Sequence, residues 1–322
     1  MFSRRGFLKN VGMAGAALGA AHLSSAPAPA QAQSSFNVNY QRLNRAELNT
    51  ELAEEHFRIR RQPIQWPNNA RIAIWWAVDY EVMTDNTNSG RIATYDYSGK
   101  AGFWRLLEIA EEEGVKFCWY TNAVAATRFP ETLRELARLG HEIDGHGWSN
   151  ATSLTVVSSE LEREIIRRTF GDIERASGVR PTGWLGTGWN TSNRTLEFME
   201  EEGLLWSGDY PVDDLPYTVP VNGRKIVMIP YMRDANDIQT YGAHRHPAQL
   251  WVDNFKAGFD ALYEEGKTYP QATGAAMHSY LLAHPFGKKA IREVIRYTKG
   301  FPDVWQTTEN EVAKWWLQQN YD

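Results

Sequence analysis

Acidic and basic side chains capable of proton transfer stand just beyond the apolar runs of this chain. Asp79-Tyr80-Glu81 closes one such run. His141-Glu142-Ile143-Asp144-Gly145-His146-Gly147-Trp148-Ser149-Asn150 overlaps another. Arg180-Pro181-Thr182-Gly183-Trp184 follows a long charged helix, Asn236-Asp237 follows a later strand, and His278 lies in Ala275–Leu282. Carboxylates and imidazoles gathered in this way are the equipment of general acid–base hydrolysis, with or without a metal. Other machinery is missing. There is no Gly-x-Ser-x-Gly elbow, no helical His-Glu-x-x-His, and a single cysteine, Cys118, too few for structural zinc or an internal disulfide. Cys118 lies in an apolar strand and reads as a buried thiol.

The elements that must position these groups alternate. Strands are predicted at 71–78, 115–120, 141–144, 184–185, 204–207, 226–230, 275–282 and 304–306. Helices are predicted at 100–113, 130–139, 158–176, 192–202, 247–265, 288–298 and 309–318, with a further helical stretch near 45–57. Strand–helix repetition favours a parallel sheet with helices outside. About seven units suit an irregular (β/α) barrel in a single domain, where reacting groups sit at the C-terminal ends of strands. No glycine-rich phosphate loop follows the first strand, which argues against a nucleotide fold.

The ends and the composition bound the rest. Arg4-Arg5, a soft Gly/Ala-rich apolar run and Ala30-Gln31-Ala32 read as a twin-arginine export signal over 1–32. Residues 33–65 read as an N-terminal extension and 66–322 as the barrel. The apolar run is shorter than the roughly 20 residues a bilayer span needs, so no membrane association is expected after its removal. The expected location is the periplasm or the medium. Removing the charges of Arg4, Arg5 and Lys9 takes the formal charge from −5 to −8, which disfavours nucleic acid as a partner. Aromatic residues make up 12% of the chain, enough for a core and for a surface on which sugar rings stack. A homo-oligomer is left open.

At the strand-end residues the chain resembles the polysaccharide deacetylase (NodB-homology, carbohydrate esterase family 4) superfamily. Gly140 to Asn150 looks like its second motif, in which a His-x-x-x-His pair binds metal. Asp79 matches the first-motif aspartates, Arg180-Pro181 with Gly183-Trp184 the third motif, and His278 the late catalytic histidine. The phrases Asp213-Asp214-Leu215-Pro216-Tyr217 and Asp303-Val304-Trp305-Gln306-Thr307 are similar to the allantoinase-like and peptidoglycan-deacetylase-like branch.

The resemblance implies a hydrolase of non-peptide carbon–nitrogen bonds. Its catalytic groups would be Asp79, Glu81 and His278. Substrate would meet Arg180, Pro181, Trp184, Asn236 and Asp237. A divalent metal, zinc by preference, would be held by Asp79, His146 and Asn150. The chain departs from the family in that Tyr80 replaces a second aspartate and Asn150 the second histidine. The metal site is then weak or absent, with Asp144, His244, His246 or His284 as replacement ligands. The expected substrate is an N-acetylated sugar of a polysaccharide or oligosaccharide. The alternatives are a small cyclic amide of the allantoin type, or silent carbohydrate binding on an old barrel.

The signal reading is tested by exchanging Arg4 and Arg5 for lysine. The precursor is expected to accumulate in the cytoplasm, as followed by fractionation and immunoblotting; normal export of that variant would overturn the reading.

Overall fold

Every residue of the strand Ile72–Tyr80 (β1) is buried, and strand alternation divides them between two cores. Ile72, Ile74, Trp76, Val78 and Tyr80 face helices, whereas Ala73, Trp75 and Ala77 face the interior of a curled sheet. The same period aims Asp79 inward. A strand covered on both faces belongs inside a parallel sheet, and β1 has parallel neighbours on both sides in this computed structural model. The structure describes residues 63–84 and 89–322, all within one compact unit, Arg60–Asp322. The signal, the helical stretch near 45–57 and most of the extension lie outside the described residues.

β1 pairs in parallel with Phe117–Thr121 (β2) on one side and Gln271–His278 (β8) on the other. Beyond β2 follow Glu142–Gly145 (β3), Gly183–Trp184 (β4), Trp206–Ser207 (β5) and Arg224–Met228 (β7), all parallel. Tyr217–Val221 (β6) closes that edge antiparallel to β7. Val304–Gln306 (β9) pairs with Ile72–Ile74, below the point where β2 begins. The sheet curls into a half-barrel with helices outside, the fold class expected from the alternation.

Helices Phe103–Glu113, Pro130–Leu139, Ser159–Ser177, Ala248–Glu265, Lys288–Lys299 and Glu309–Gln318 fall within a few residues of expectation. No helix among the described residues is long and apolar enough to cross a membrane.

Two helices and the strand β6 escape sequence reading, whereas β7 overlaps the expected 226–230. Helices Ser89–Tyr97 and Ala123–Arg128 have weak signals, since the first buries no side chain and the second is short. The hairpin β6–β7 turns on Asn222-Gly223, both at positive φ, the residue pair that a two-residue hairpin turn prefers. The strand expected to run to Leu282 stops at His278. The N–H groups of His278 and Leu282 both donate to Asp237 Oδ2, at 2.9 and 3.0 Å, which turns the chain out of the sheet.

The interior below the strand ends is polar. Cys118, Tyr120, Glu142, Asp144 and Glu309 are all buried, and Cys118 is a free thiol. The N-terminus of Glu309–Gln318 enters this space, with Glu309 N–H directed at Cys118 Sγ and Asn310 N–H donating to Glu142 Oε2. Tyr120 donates to Glu309, and Gly183 N–H to Asp144 Oδ1. None of these carboxylates has a cationic partner among the described residues. Burial therefore pushes Glu309 up to about 8 and Asp144 up to about 6, because desolvation disfavours the charged form.

Glu309 generates a stability prediction. Its folded-state value lies above the ordinary 4.5, so the folded chain binds the extra proton. Its contribution is full below about pH 4.5 and is lost as pH rises through about 8. Denaturant titrations across that window should show wild type losing on the order of 1 kcal/mol per pH unit from this group. Glu309→Gln should flatten the slope; an unchanged slope would remove Glu309 as its source.

Candidate active site

Inward alternation at the C-terminal strand ends brings four titratable side chains together. Asp79 comes from β1, Glu81 from the residue just after it, His146 from the residue after β3, and His278 from the end of β8. His146 Nε2 lies 3.1 Å from Glu81 Oε1 and 3.7 Å from Asp79 Oδ1. His278 Nε2 lies 3.6 Å from Asp79 Oδ2. All four are at least nine-tenths buried, and they line a cavity of about 280 Å³ with Asn150, Trp189, Tyr231, Asn236 and Tyr280.

Each catalytic candidate is held from behind. His146 Nδ1 donates to the Leu185 carbonyl at 2.5 Å, which fixes its ring and directs Nε2 at the carboxylates. His278 Nδ1 donates to Asp237 Oδ1 at 2.7 Å. The Tyr231 hydroxyl donates to Asp79 Oδ2 at 2.5 Å and accepts from Asn236 Nδ2 at 3.1 Å. Gly145 permits the approach of Trp184, whose ring would lie 2.5 Å from an added Cβ. Gly147, at φ +74°, turns the chain immediately after His146.

The protonation states follow from these neighbours. Burial lowers His278, but Asp79 and Asp237 outweigh it and raise the imidazole to about 10. Burial also opposes a proton on His146, yet the Glu81 hydrogen bond and the charge of Asp79 raise it. Asp79 is raised by burial, against the pull of His278 and His146. Burial raises Glu81 too, but the His146 hydrogen bond, the two imidazoles and the Asn150 amide hold it below the usual range. The site thus holds a cationic His278, an ionised Glu81 and a carboxyl of raised basicity at Asp79. A base and an acid with separated values are what acid–base hydrolysis requires.

The metal set implied by the resemblance does not fit these positions. His146 Nε2 is engaged by Glu81 Oε1 and Asp79 Oδ2 by Tyr231. The place of a second imidazole is taken by Asn150, whose Oδ1 is buried without a hydrogen bond. Catalytic zinc ordinarily keeps three protein ligands, and an amide oxygen is a weak one. Among the described residues, thiol, imidazole and carboxylate donors gather in a group of three within 4.8 Å at Cys118, Glu142 and Glu309, inside the barrel and not here.

The suggested replacements do not serve either. Asp144 binds the Gly183 N–H in the interior network, His244 and His246 are exposed, and His284 stacks on Tyr97. None of them lines the cavity.

Comparison with known proteins agrees with the architecture. A family model described as Polysaccharide deacetylase matches residues 85–205. The crystal structure of Puue Allantoinase superposes with a TM-score of 0.74 at 27% identity, over 80% of this chain and 95% of that one. A structure described as a probable polysaccharide deacetylase from Pseudomonas aeruginosa PAO1 superposes equally well, with TM-score 0.74 and 27% identity, over 80% of this chain and 96% of that one. The peptidoglycan deacetylase of Helicobacter pylori is 25% identical over 142 residues, 44% of this chain and 48% of its own. Over residues 85–205 the chain is therefore similar to polysaccharide deacetylases, and its fold is that of the superposed structures.

Of the other residues singled out in the sequence, Asn236 lines the cavity. Asp237 stands behind His278 instead of meeting the cavity. Arg180 does not reach it: its guanidinium pairs with Glu174 at 2.9 Å and Glu202 at 2.5 Å, at the opposite end of β4 from the loop that lines the site. Pro181 is buried beside it. Trp184 is core, fully buried and stacked on Phe170. The long side chain of Arg180 is satisfied by local carboxylates, and Trp184 points to the helix side of a strand whose next residues turn toward the site. These three are therefore corrected from substrate contacts to structural positions.

Sequence reading missed Tyr231, Trp189, Tyr280 and Tyr95. Tyr231 directly follows the run ending at Pro230, so the strand-end rule that found Asp79 could have found it.

Asn150→His tests the donor set. The variant should bind zinc at least about tenfold more tightly than wild type by calorimetry, since imidazole replaces a weak amide ligand. Wild type purifying with one tightly held metal per chain would overturn this assessment.

Proposed function

We propose that the chain hydrolyses the acetamide of an N-acetylated sugar by acid–base chemistry that needs no bound metal. The carrying observation is Asp79 set between two imidazoles, His278 Nε2 at 3.6 Å and His146 Nε2 at 3.7 Å. Asp79 takes a proton from water as its oxygen bonds to the amide carbonyl carbon. The carbonyl becomes a tetrahedral oxyanion, and the cationic imidazoles lower its energy. The carbon–nitrogen bond then breaks as His278 gives its proton to the departing nitrogen, releasing acetate and the amino sugar. Asp237 and Tyr231 act by positioning, the first on His278 and the second on Asp79. The ionised Glu81 keeps His146 protonated.

The cavity volume, about 280 Å³, lies at the low end of the usual range for ligand sites. It suits one ring bearing one amide more than a long stretch of polymer. An exported site, the reading of Arg4-Arg5, favours a sugar over a purine-derived ring, which is broken down inside cells. The small volume of the cavity also favours a second reading, ring-opening of a small cyclic amide. The similarity to Puue Allantoinase supports that reading as well.

The two readings are separated by measuring acetate release from chitin oligomers beside ring-opening of allantoin. Release of acetate by wild type, reduced at least about a hundredfold by Asp79→Asn and by His278→Ala, is the expected result. Activity on allantoin alone would decide for the cyclic amide. Inactivity on both, with the fold intact, would leave the silent-binding alternative.

The pH profile supplies a further check. His278 acts as the acid, so kcat/KM should fall as pH rises through about 10, the value to which Asp79 and Asp237 raise it against burial. Asp237→Asn removes one of those charges and should move the alkaline limb to lower pH. A limb that stays in place would exclude His278 as the acid.

A further inference from the structure

Trp189 stands in the left-handed region at φ +53°, directly after Gly188 at φ +62°. The other non-glycine residues with positive φ among the described residues are four asparagines, one aspartate and one arginine. A bulky aromatic in this region is a genuine outlier, and such strain persists only where surrounding structure enforces it. Here it is enforced on every side. Gly186 N–H donates to the buried Asp209 Oδ1 at 2.6 Å, Thr187 Oγ1 donates to the His146 carbonyl at 2.9 Å, and Asn190 Nδ2 donates to the Thr187 carbonyl at 2.8 Å. The Arg233 guanidinium lies over the indole, 4.4 Å from its centroid. Tyr231, whose hydroxyl holds Asp79, meets it edge-on at 5.9 Å.

A tryptophan needed only for packing has no reason to occupy a strained backbone position beside the reacting groups. Trp189 is half-buried and lines the same cavity as Asp79 and His278. We infer that Trp189 is the binding platform of this site, stacking the apolar face of the single pyranose ring that carries the scissile acetamide. Arg233 and the bonded loop hold it in place beforehand. The inference rests on the proposed sugar-amide reading and adds to it the residue that selects a ring. Fixing the platform before substrate arrives lowers the ordering cost of binding. Its coupling to Asp79 through Tyr231 ties the position of the ring to the position of the base.

The experiment compares wild type with Trp189→Ala, Trp189→Phe and Arg233→Gln, using triacetylchitotriose as probe. Calorimetric Kd is measured in the Asp79→Asn background and kinetics in the active chain. Trp189→Ala should raise Kd and KM about tenfold or more, the scale of a good aromatic contact plus its burial. Its kcat should stay within about threefold, the signature of lost uniform binding. Trp189→Phe should recover most of the affinity, and Arg233→Gln should weaken it by a few-fold.

Unchanged Kd in Trp189→Ala overturns the inference, as does a loss confined to kcat, or a wild type that does not bind the probe. If Trp189→Ala fails to give a cooperative melt, Trp189→Phe and Arg233→Gln decide on the same criteria. Binding that depends on Trp189 without acetate release would sink the hydrolytic reading and leave the platform standing. Acetate release indifferent to Trp189 would do the reverse.

Discussion

A carboxylate at the end of a fully buried strand must be compensated, and the placement of Asp79 imposes that demand on everything around it. Unpaired burial of such a charge is costly, and raised basicity is the visible result. The compensation comes from three separate elements: His146 beyond β3, His278 at the end of β8, and the Tyr231 hydroxyl beyond β7. Each has its own support, from the Leu185 carbonyl, Asp237 and Asn236 respectively. The curled sheet is what allows residues so far apart in sequence to meet. The registers Asp79↔Tyr120 and Asp79↔His278 set the meeting level.

Two families of buried acid coexist in the same barrel and differ by their partners. Asp79 and Glu81 face imidazoles, so charge can be balanced at the strand ends. Glu142, Asp144 and Glu309 face backbone N–H groups, a phenol and a thiol, with no cation among the described residues. Desolvation then wins, and these groups retain protons well above the usual carboxylate range. The contrast shows why burial alone does not mark a reacting group. The difference lies in the neighbours, and only the first set borders the cavity.

Much of the fold was legible because its signals are local. The apolar run at β1 and the Pro130–Leu139 helix, with Pro at its start and Gly140 at its end, carry their boundaries in the sequence. Asp79, Glu81, His146 and His278 were legible because strand alternation aims residues at a shared end. Arg180 and Trp184 were misread because a motif gives residue types and not directions. Trp184 packs on Phe170 and Arg180 pairs with Glu174 and Glu202, partners that lie outside the motif itself. Trp189 was invisible for a related reason: its importance lies in a backbone angle, which composition does not announce.

Asn150 is the point at which the chemistry diverges from the pattern its own motif implies. A second histidine there would place another nitrogen donor near Asp79 and His146. The amide instead helps to hold Glu81 ionised, and Glu81 in turn bonds His146 Nε2. With that nitrogen protonated and engaged, His146 contributes positive charge and not a lone pair. In the proposed metal-free reaction, the positive charge that lowers the energy of the oxyanion therefore comes from two imidazolium rings. Such rings act only while protonated, so the arrangement depends on the carboxylates Glu81 and Asp237 that keep them so. That dependence explains why the acidic residues of this site outnumber those needed to activate a single water.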